Sequence, residues 1–340
     1  MKYLSIVIVT FNAIKHINDC LESIYKTAPL PLIEIIVSDN NSTDGTVEFI
    51  KHKYPAVKLV ENRCNLGFGP ANNRGANRSS GRYILFLNDD TIVCDNALAK
   101  MISFMDDNNN IGAMGPKLLN PDYSLQPSMS RYPSIWRNIV YALLPKTYLL
   151  NNEKVRNLLS KFSPQENLGR YGSHNKVCDT DFPKGACLLV RRSVIEQVGL
   201  FDENIFFFSE EAELCYRIKK AGWRVVFYPH AEIIHIGGST SGREVDKVPG
   251  RRFIQKHKSN LYFFEKHGSR MDVMAYKAGI VAALVVRLVF LYLLSIFSRS
   301  KTRREVLATN EVYLNTIRML IDARFRGKNV FTELKLKHTG

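Results

Sequence analysis

Within the first ninety residues, four short apolar runs, rich in β-branched residues, stop at polar side chains and alternate with stretches of helical spacing. They are LSIVIVT (Leu4 to Thr10), IEIIVS (Ile33 to Ser38), Val57 to Val60 and YILFL (Tyr83 to Leu87). Each is too apolar for a strand with a solvated face. The alternation predicts an α/β fold: a mostly parallel sheet flanked by helices on both faces. Helices are expected near 14–26, 43–52, 70–79 and 95–108, with Asp44 and Asp95 as N-terminal caps or first-turn acids.

From Asn120 to Asp181 the pattern loosens into Pro, Ser, Tyr and Asn, around one amphipathic stretch from Ile135 to Phe162 that contains Trp136. A segment of that length inside a domain reads as a lid or binding loop. Regular structure returns with GACLLVRR (Gly185 to Arg192), a helix in SEEAELCYRIKKAG ending at Gly222, and the strand-like WRVVFY and AEIIHI. The expected organisation is a catalytic domain over 1–240, with 120–181 as an acceptor-side insertion, and a helical basic region over 241–340.

The chain of 340 residues, 45% hydrophobic and 23% charged, buries a full core without disulfides or structural zinc. Six cysteines without a C-x-x-C pair read as reduced thiols in a cytosolic protein, and the six-residue apolar run behind Lys2 is too short for an export signal. The net charge of +15 is unevenly spread. Residues 1–242 hold 27 Lys and Arg against 24 Asp and Glu, whereas 243–340 hold 20 against 8. A basic tail calls for an anionic partner, and without interleaved aromatics an acidic membrane surface suits it better than nucleic acid. Within the tail, Ala278 to Phe297 carries one charge, Arg287, and the cluster Arg299, Lys301, Arg303, Arg304 follows. Three readings stand for it: a membrane-surface helix, a packed core or oligomer helix, and a transmembrane span.

The chemistry-bearing residues gather where parallel strands end, which is where open α/β sheets bind ligands. TFNA (Thr10 to Ala13, with Asn12) ends the first run and SDNNSTDGT (Ser38 to Thr46) the second. Asp39 suits a pyrimidine ring N–H or a ribose hydroxyl, or else braces its own turn; Asp44 is a cap or a ligand contact. In the segment Asn65-Leu-Gly67-Phe-Gly69-Pro-Ala-Asn72-Asn73-Arg74-Gly75, the glycines and amides suggest close backbone approach to a polar ligand, with Arg74 in reach of a phosphate. It is not a dinucleotide fingerprint, because Asn72 stands at the third glycine position. YILFLNDDT brings Asp89 and Asp90 to a strand end, where adjacent carboxylates and a diphosphate form a setting for Mg²⁺ or Mn²⁺. Glu210, Glu211 and Glu213 crowd a helix start behind an apolar run, placed either for the helix dipole or as a general base. His235, before Gly237-Gly238, is a structural histidine or a metal ligand.

Taken in order, TFN, SDNNSTDGT, N-x-G-F-x-x-x-x-N-x-G, FLNDD, GACLLVRR, GLFDENIFFFSEEAELCYR and H-x-G-G-S-T resemble family 2 inverting glycosyltransferases, particularly the rhamnosyltransferase-like branch, over residues 3–240. The resemblance implies a GT-A fold and a metal-dependent transfer. It assigns Asp39 to the base, Asp90 to the metal, His235 to the metal or the diphosphate, and Glu211 to proton abstraction. Thr10, Asn12, Asp44, Asn65, Gly67, Asn73, Arg74, Asn88 and Asp89 are expected on the donor side, and Glu210, Arg191 and Trp136 on the acceptor side. Asn88 stands where the family commonly has the first Asp of D-x-D, and Glu210-Glu211 replaces a Glu-Asp pair. The implied partners are a nucleotide-diphosphate sugar, dTDP-rhamnose first and UDP- or GDP-hexoses next, and a polyprenyl-linked or polysaccharide acceptor. The basic, apolar tail points to the inner face of a cell membrane, and a homo-oligomer is left open. A catalytically silent nucleotide-sugar binding module is the competing reading.

Overall fold

The computed structural model describes residues 2–27, 33–143, 174–237, 250–296 and 300–322. All seven residues of β1 (Leu4–Thr10) and of β2 (Ile33–Asp39) are buried, as a strand covered on both faces requires. Between them α1 (Ile17–Thr27) buries Ile17, Cys20, Leu21 and Ile24, the i, i+3, i+4, i+7 set of one helix face. The chain continues through α2 (Thr46–Lys53), β3 (Lys58–Glu61), α3 (Phe68–Ala76), β4 (Tyr83–Asn88), β5 (Thr91–Val93), α4 (Ala97–Asp107) and β6 (Ile111–Leu119). Then come β7 (Leu125–Gln126), β8 (Met129–Ser130), α5 (Ile135–Leu143), β9 (Cys178–Asp179), β10 (Phe182–Pro183) and β11 (Cys187–Arg191). After α6 (Arg192–Val198), α7 (Glu210–Lys220) and β12 (Arg224–His235) come α8 (Arg251–His267), α9 (Arg270–Ile296) and α10 (Ser300–Ile321).

Ten strands form one sheet in the order β3-β2-β1-β4-β11-β6-β12-β5, with β7 on β6 and β9 on β12. The pairs β3/β2, β2/β1, β1/β4 and β6/β12 are parallel, and β11 enters antiparallel to both β4 and β6. Alternate residues of the central strands feed opposite cores. Ile6, Ile8, Leu85 and Leu87 join α1 and α4 on one face, while Val7, Ile84 and Phe86 join α6 and α7 on the other. The strand order reverses between β1 and β4, the switch point at which such sheets open a crevice.

Two local expectations are corrected, and one strand carried no expectation. The turns before α2 and α4 are capped by left-handed Gly45 and Asn96 rather than by Asp44 and Asp95 themselves. The runs WRVVFY and AEIIHI form the single strand β12, which skips register between Tyr228 and Glu232 at Pro229, a residue with no N–H to donate. The central strand β6 carries no β-branched run. A Cβ on its Gly115 would stand 2.3 Å from Pro183 Cβ, so close packing has replaced the side chains that make a strand recognisable.

The chain divides into two compact units. Among the described residues the first comprises those up to Tyr132, His174–Phe206 and Glu210–Gly237, and holds the sheet. The second comprises Pro133–Leu143, Phe207–Ser209 and the helices from Gly250 onward. Its core is formed by Ala142, Leu261, Phe264, Tyr276, Ile280, Leu284 and Leu320, drawn from α5, α8, α9 and α10.

Candidate active site

Parallel register places Thr10 beside Asp39 and Val9 beside Asn88, so the polar ends of β1, β2 and β4 share one edge. Asp39 is 1% exposed and fully engaged. It accepts hydrogen bonds from Thr10 Oγ1 (2.8 Å), Ser42 N (2.8 Å) and Ser42 Oγ (2.5 Å). The neighbouring turns are laced together in the same way. Asn12 N donates to Ser42 Oγ, and Asn12 Oδ1 accepts from Thr43 N, each at 2.8 Å. Asp44 accepts from Ile14 N (3.1 Å) and from Thr46 N and Oγ1. Thr10, Asn12, Asp39 and Asp44 therefore form one rigid rim, and Asp39 does brace its own turn.

At the end of β4 the next groups converge. Asp89 and Asp90 are buried, and Asp90 Oδ2 accepts from Gly237 N (3.1 Å). His235 Nδ1 lies 2.7 Å from Gln126 Oε1. Gln126 Nε2 donates to His235 O and Asn120 Oδ1, each at 3.0 Å, which fixes Oε1 as the acceptor facing the ring. Nδ1 then carries the proton, and the Nε2 lone pair faces Asp90 Oδ1 at 3.4 Å, with Asn88 Nδ2 also at 3.4 Å. Asn88 Oδ1 is buried without a hydrogen-bond partner. An imidazole lone pair, a carboxylate oxygen and an orphaned amide oxygen form a donor set that a hard divalent cation fits, with an outer partner orienting the histidine. Among the described residues no group of three or more His, Cys, Asp or Glu side chains is arranged to hold a metal. A cation here would take its remaining ligands from phosphate oxygens and water.

Glu210 and Glu211 open α7. Glu210 is 4% exposed and its Oε2 has no hydrogen-bond partner. Burial, reinforced by the neighbouring Glu211 charge, pushes its pKa well above the ordinary carboxyl range. Burial also raises Glu211, opposed by the Lys184 ammonium and the Gly185 N–H. Two adjacent carboxyls with unequal opposition leave Glu210 as the protonated member and Glu211 as the one that ionises. A Cβ on Gly185 would lie 3.4 Å from the Glu211 carboxylate, and one residue on, Ala186 O accepts from Asn88 N (2.9 Å). The segment Gly185-Ala186 thus bridges Glu211 to the Asn88–Asp90 edge.

The Asn65–Gly75 segment makes the close backbone approach its glycines suggest, but to its own chain. Gly67 has φ +88°, and a Cβ on it would fall 2.3 Å from Phe206 O. Phe68 N donates to that same oxygen, Asn65 Oδ1 accepts from Gly67 N, and Asn40 Nδ2 holds Gly67 O. Asn73 is buried, its amide paired with Phe201 N and O and with Glu203 Oε1. Arg74 is exposed on α3.

One expected residue, Arg191, is not brought to this edge. Arg191 pairs with Tyr83 at the opposite end of β4. Its guanidinium is spent on Ile111 O, Met105 O and Tyr83 Oη, which makes it a structural brace of the far edge rather than an acceptor contact. Trp136 belongs to the second unit, 64% exposed on α5. The motif H-x-G-G-S-T is described only through Gly237; Gly238 to Thr240, residues 144–173 of the expected insertion, Phe297 and Arg299 lie outside the described residues. Sequence reasoning passed over Gln126, Lys184 and Ser42. Ser42 lay inside a quoted motif and Lys184 one residue before another, while Gln126 sits in an irregular stretch that gave no signal.

The family model described as Glycosyl transferase family 2 matches residues 5–199. An N-acetylglucosaminyl-diphospho-decaprenol L-rhamnosyltransferase of Mycobacterium tuberculosis is 30% identical over 271 residues, which cover 76% of this chain and 83% of that one. A low-salt glycan biosynthesis hexosyltransferase of Haloferax volcanii is 23% identical over 222 residues, 64% of this chain and 62% of its own. Among solved structures, a mannosyltransferase from Pyrobaculum calidifontis in complex with GDP-Man and Mn²⁺ superposes with a TM-score of 0.54 at 15% identity, covering 95% of this chain and 89% of that one. The shared fold is GT-A.

Proposed function

The chain belongs to glycosyl transferase family 2, and from that premise we propose that it moves a sugar, rhamnose first, from a nucleotide-diphosphate donor to a lipid-linked saccharide with inversion at the anomeric carbon. One observation carries the reading: the ionising carboxylate, Glu211, reaches the Asn88–Asp90 edge through Gly185-Ala186. The acceptor class is supported by the decaprenol-linked substrate named for the mycobacterial relative, and by a basic tail suited to the inner face of a membrane.

The nucleotide lies along the rim of Thr10, Asn12, Asp39 and Asp44, which is already hydrogen-bonded into shape and needs little ordering when the donor arrives. Asn65, Gly67, Asn73 and Arg74 flank it, Arg74 offering the free guanidinium for phosphate. Asp90 and His235 would hold Mg²⁺ or Mn²⁺ beside Asn88 and Asp89, where a bound cation offsets the charge of the departing diphosphate. Glu211 accepts the proton of the acceptor hydroxyl as that oxygen bonds to the anomeric carbon, and the nucleoside diphosphate leaves with the electrons of the bond it breaks. Glu210, kept protonated, leaves the negative charge on Glu211 alone. The desolvated setting holds the Glu211 pKa nearer the working pH, where a base is most effective.

The test is transfer from dTDP-rhamnose, UDP- and GDP-hexoses to a polyprenyl-diphosphate saccharide, with the product anomer read by NMR. Inversion is expected. Retention, or donor binding without turnover on any acceptor of this class, refutes the proposal.

A further inference from the structure

By length and composition α9 is apolar enough to cross a bilayer, yet its surroundings forbid a span. One face, carrying Tyr276, Ile280, Ala283 and Leu284, is buried against α5, α8 and α10. Arg287, the charge at the centre of the apolar stretch, is turned to that side: it donates to Ala142 O (3.3 Å) and lies 4.7 Å over the Tyr313 ring. A spanning α9 would drag into hydrocarbon the helices packed along it, including α8 with its exposed Arg252, Lys256 and Lys266.

The opposite arc is exposed to solvent. At 100° per residue, Met274, Val285, Val289, Phe290, Tyr292 and Leu293 fall on one side, all at least 52% exposed except Val285 at 46%. From Met274 to Leu293 no charged residue stands on that arc, a length of about 29 Å at 1.5 Å per residue. Apolar surface on this scale marks an interaction face. Charge selects the occupant. From residue 243 onward the chain holds 20 basic against 8 acidic residues. A second copy would add a second region of the same net charge, whereas an anionic leaflet is attracted by roughly 1 kcal/mol per nearby Lys or Arg.

We propose that α9 lies in the plane of an anionic lipid bilayer, its Met274–Leu293 arc seated among head groups and upper acyl chains while the Arg287 side stays against protein. The helix is thus a reversible surface anchor. This deepens the lipid-linked acceptor reading and rests on it for its purpose, but the two fail separately, since lipid binding is measured here without acceptor or donor.

The full chain is floated with preformed vesicles of pure phosphatidylcholine or of phosphatidylcholine mixed with phosphatidylglycerol, then challenged with a second vesicle population. Binding to the mixed vesicles, little binding to the neutral ones, and transfer between populations are expected. The double variant Val285→Glu, Val289→Glu should bind about tenfold more weakly, with unchanged circular dichroism and melting temperature. The same variant should keep transfer to a water-soluble acceptor. Equal flotation of the double variant, failure to exchange between vesicles, or a vesicle-free dimer that the double variant dissociates in light scattering would each overturn the assignment. If the variant fails to fold, Met274→Glu at the other end of the arc replaces it, with the same outcomes read.

Discussion

Gly185 presents its bare Cα to the Glu211 carboxylate, with the position of an added Cβ 3.4 Å from Oε1. The Gly185 N–H and the Lys184 charge both favour the ionised form there, against burial that raises the pKa. Removing the charge with Lys184→Met should therefore raise the Glu211 pKa further. Because a base must be deprotonated to act, the acidic limb of the kcat/KM profile should move to higher pH, with the plateau little changed. A limb that stays in place would show that Glu211 is not the titrating base.

The two glutamates are separable by isosteric amides. Glu211→Gln should cut kcat by roughly 10²- to 10⁴-fold while donor affinity, read by thermal shift, is retained. Glu210→Gln replaces a carboxyl that burial already keeps protonated, so it should fold with native stability and lose less than about tenfold in kcat. Equal losses in the two variants would remove the distinction between them.

At the far edge of the sheet, Glu34 is buried and accepts from Ser5 Oγ (2.6 Å), Ser80 N and Oγ, and Lys58 Nζ (2.6 Å). Burial by itself would raise its pKa, but these partners together bring it down to about 2. A folded-state pKa below the unfolded value makes this contribution complete above about pH 4.5 and progressively lost as pH falls toward 2. Glu34→Gln should then cost on the order of 3 kcal/mol at pH 7 and almost nothing at pH 2. Urea midpoints across that range check it; a difference independent of pH would mean the pairing carries no linkage.

Gly67 combines φ +88° with a position where any Cβ meets Phe206 O at 2.3 Å. Gly67→Ala should destabilise by roughly 2–4 kcal/mol, through left-handed strain and displacement of the Phe206 carbonyl. An alanine variant within 0.5 kcal/mol of the parent, about the spread of neutral surface changes, would contradict the packing described.

Strands whose side chains do the packing were legible in the sequence, and strands shaped by neighbours were not. β1 matched its apolar run residue for residue, and β4 extended its run by only Asn88. β6 was missed because Gly112 and Gly115 make room for Trp223 and Pro183, contacts more than sixty residues away that no local pattern encodes. The site divides in the same way. Asp39, Asp90 and Glu211 were visible because carboxylates at strand and helix ends demand an explanation. Arg191 was misplaced because an antiparallel strand reverses which end reaches the ligand edge, and direction is not written in GACLLVRR. Gln126 was invisible, since a neutral amide in the two-residue strand β7 carries no charge or period to mark it.

That amide supplies a further test. Gln126 Oε1 fixes the His235 proton on Nδ1 and turns Nε2 toward Asp90. Orienting partners of this kind alter cation affinity by about 10- to 100-fold without touching the ion. Gln126→Leu keeps the side-chain bulk but frees the ring and its tautomer. After chelation, the parent chain should regain donor-dependent activity on adding Mn²⁺, and the variant should need about 10- to 100-fold more Mn²⁺ to reach a comparable maximal rate. Direct Mn²⁺ binding, read by paramagnetic relaxation of water protons in the presence of nucleoside diphosphate, should shift by the same factor. If neither titration moves while Asp90→Asn abolishes both, His235 is no ligand and Gln126 serves only the loop.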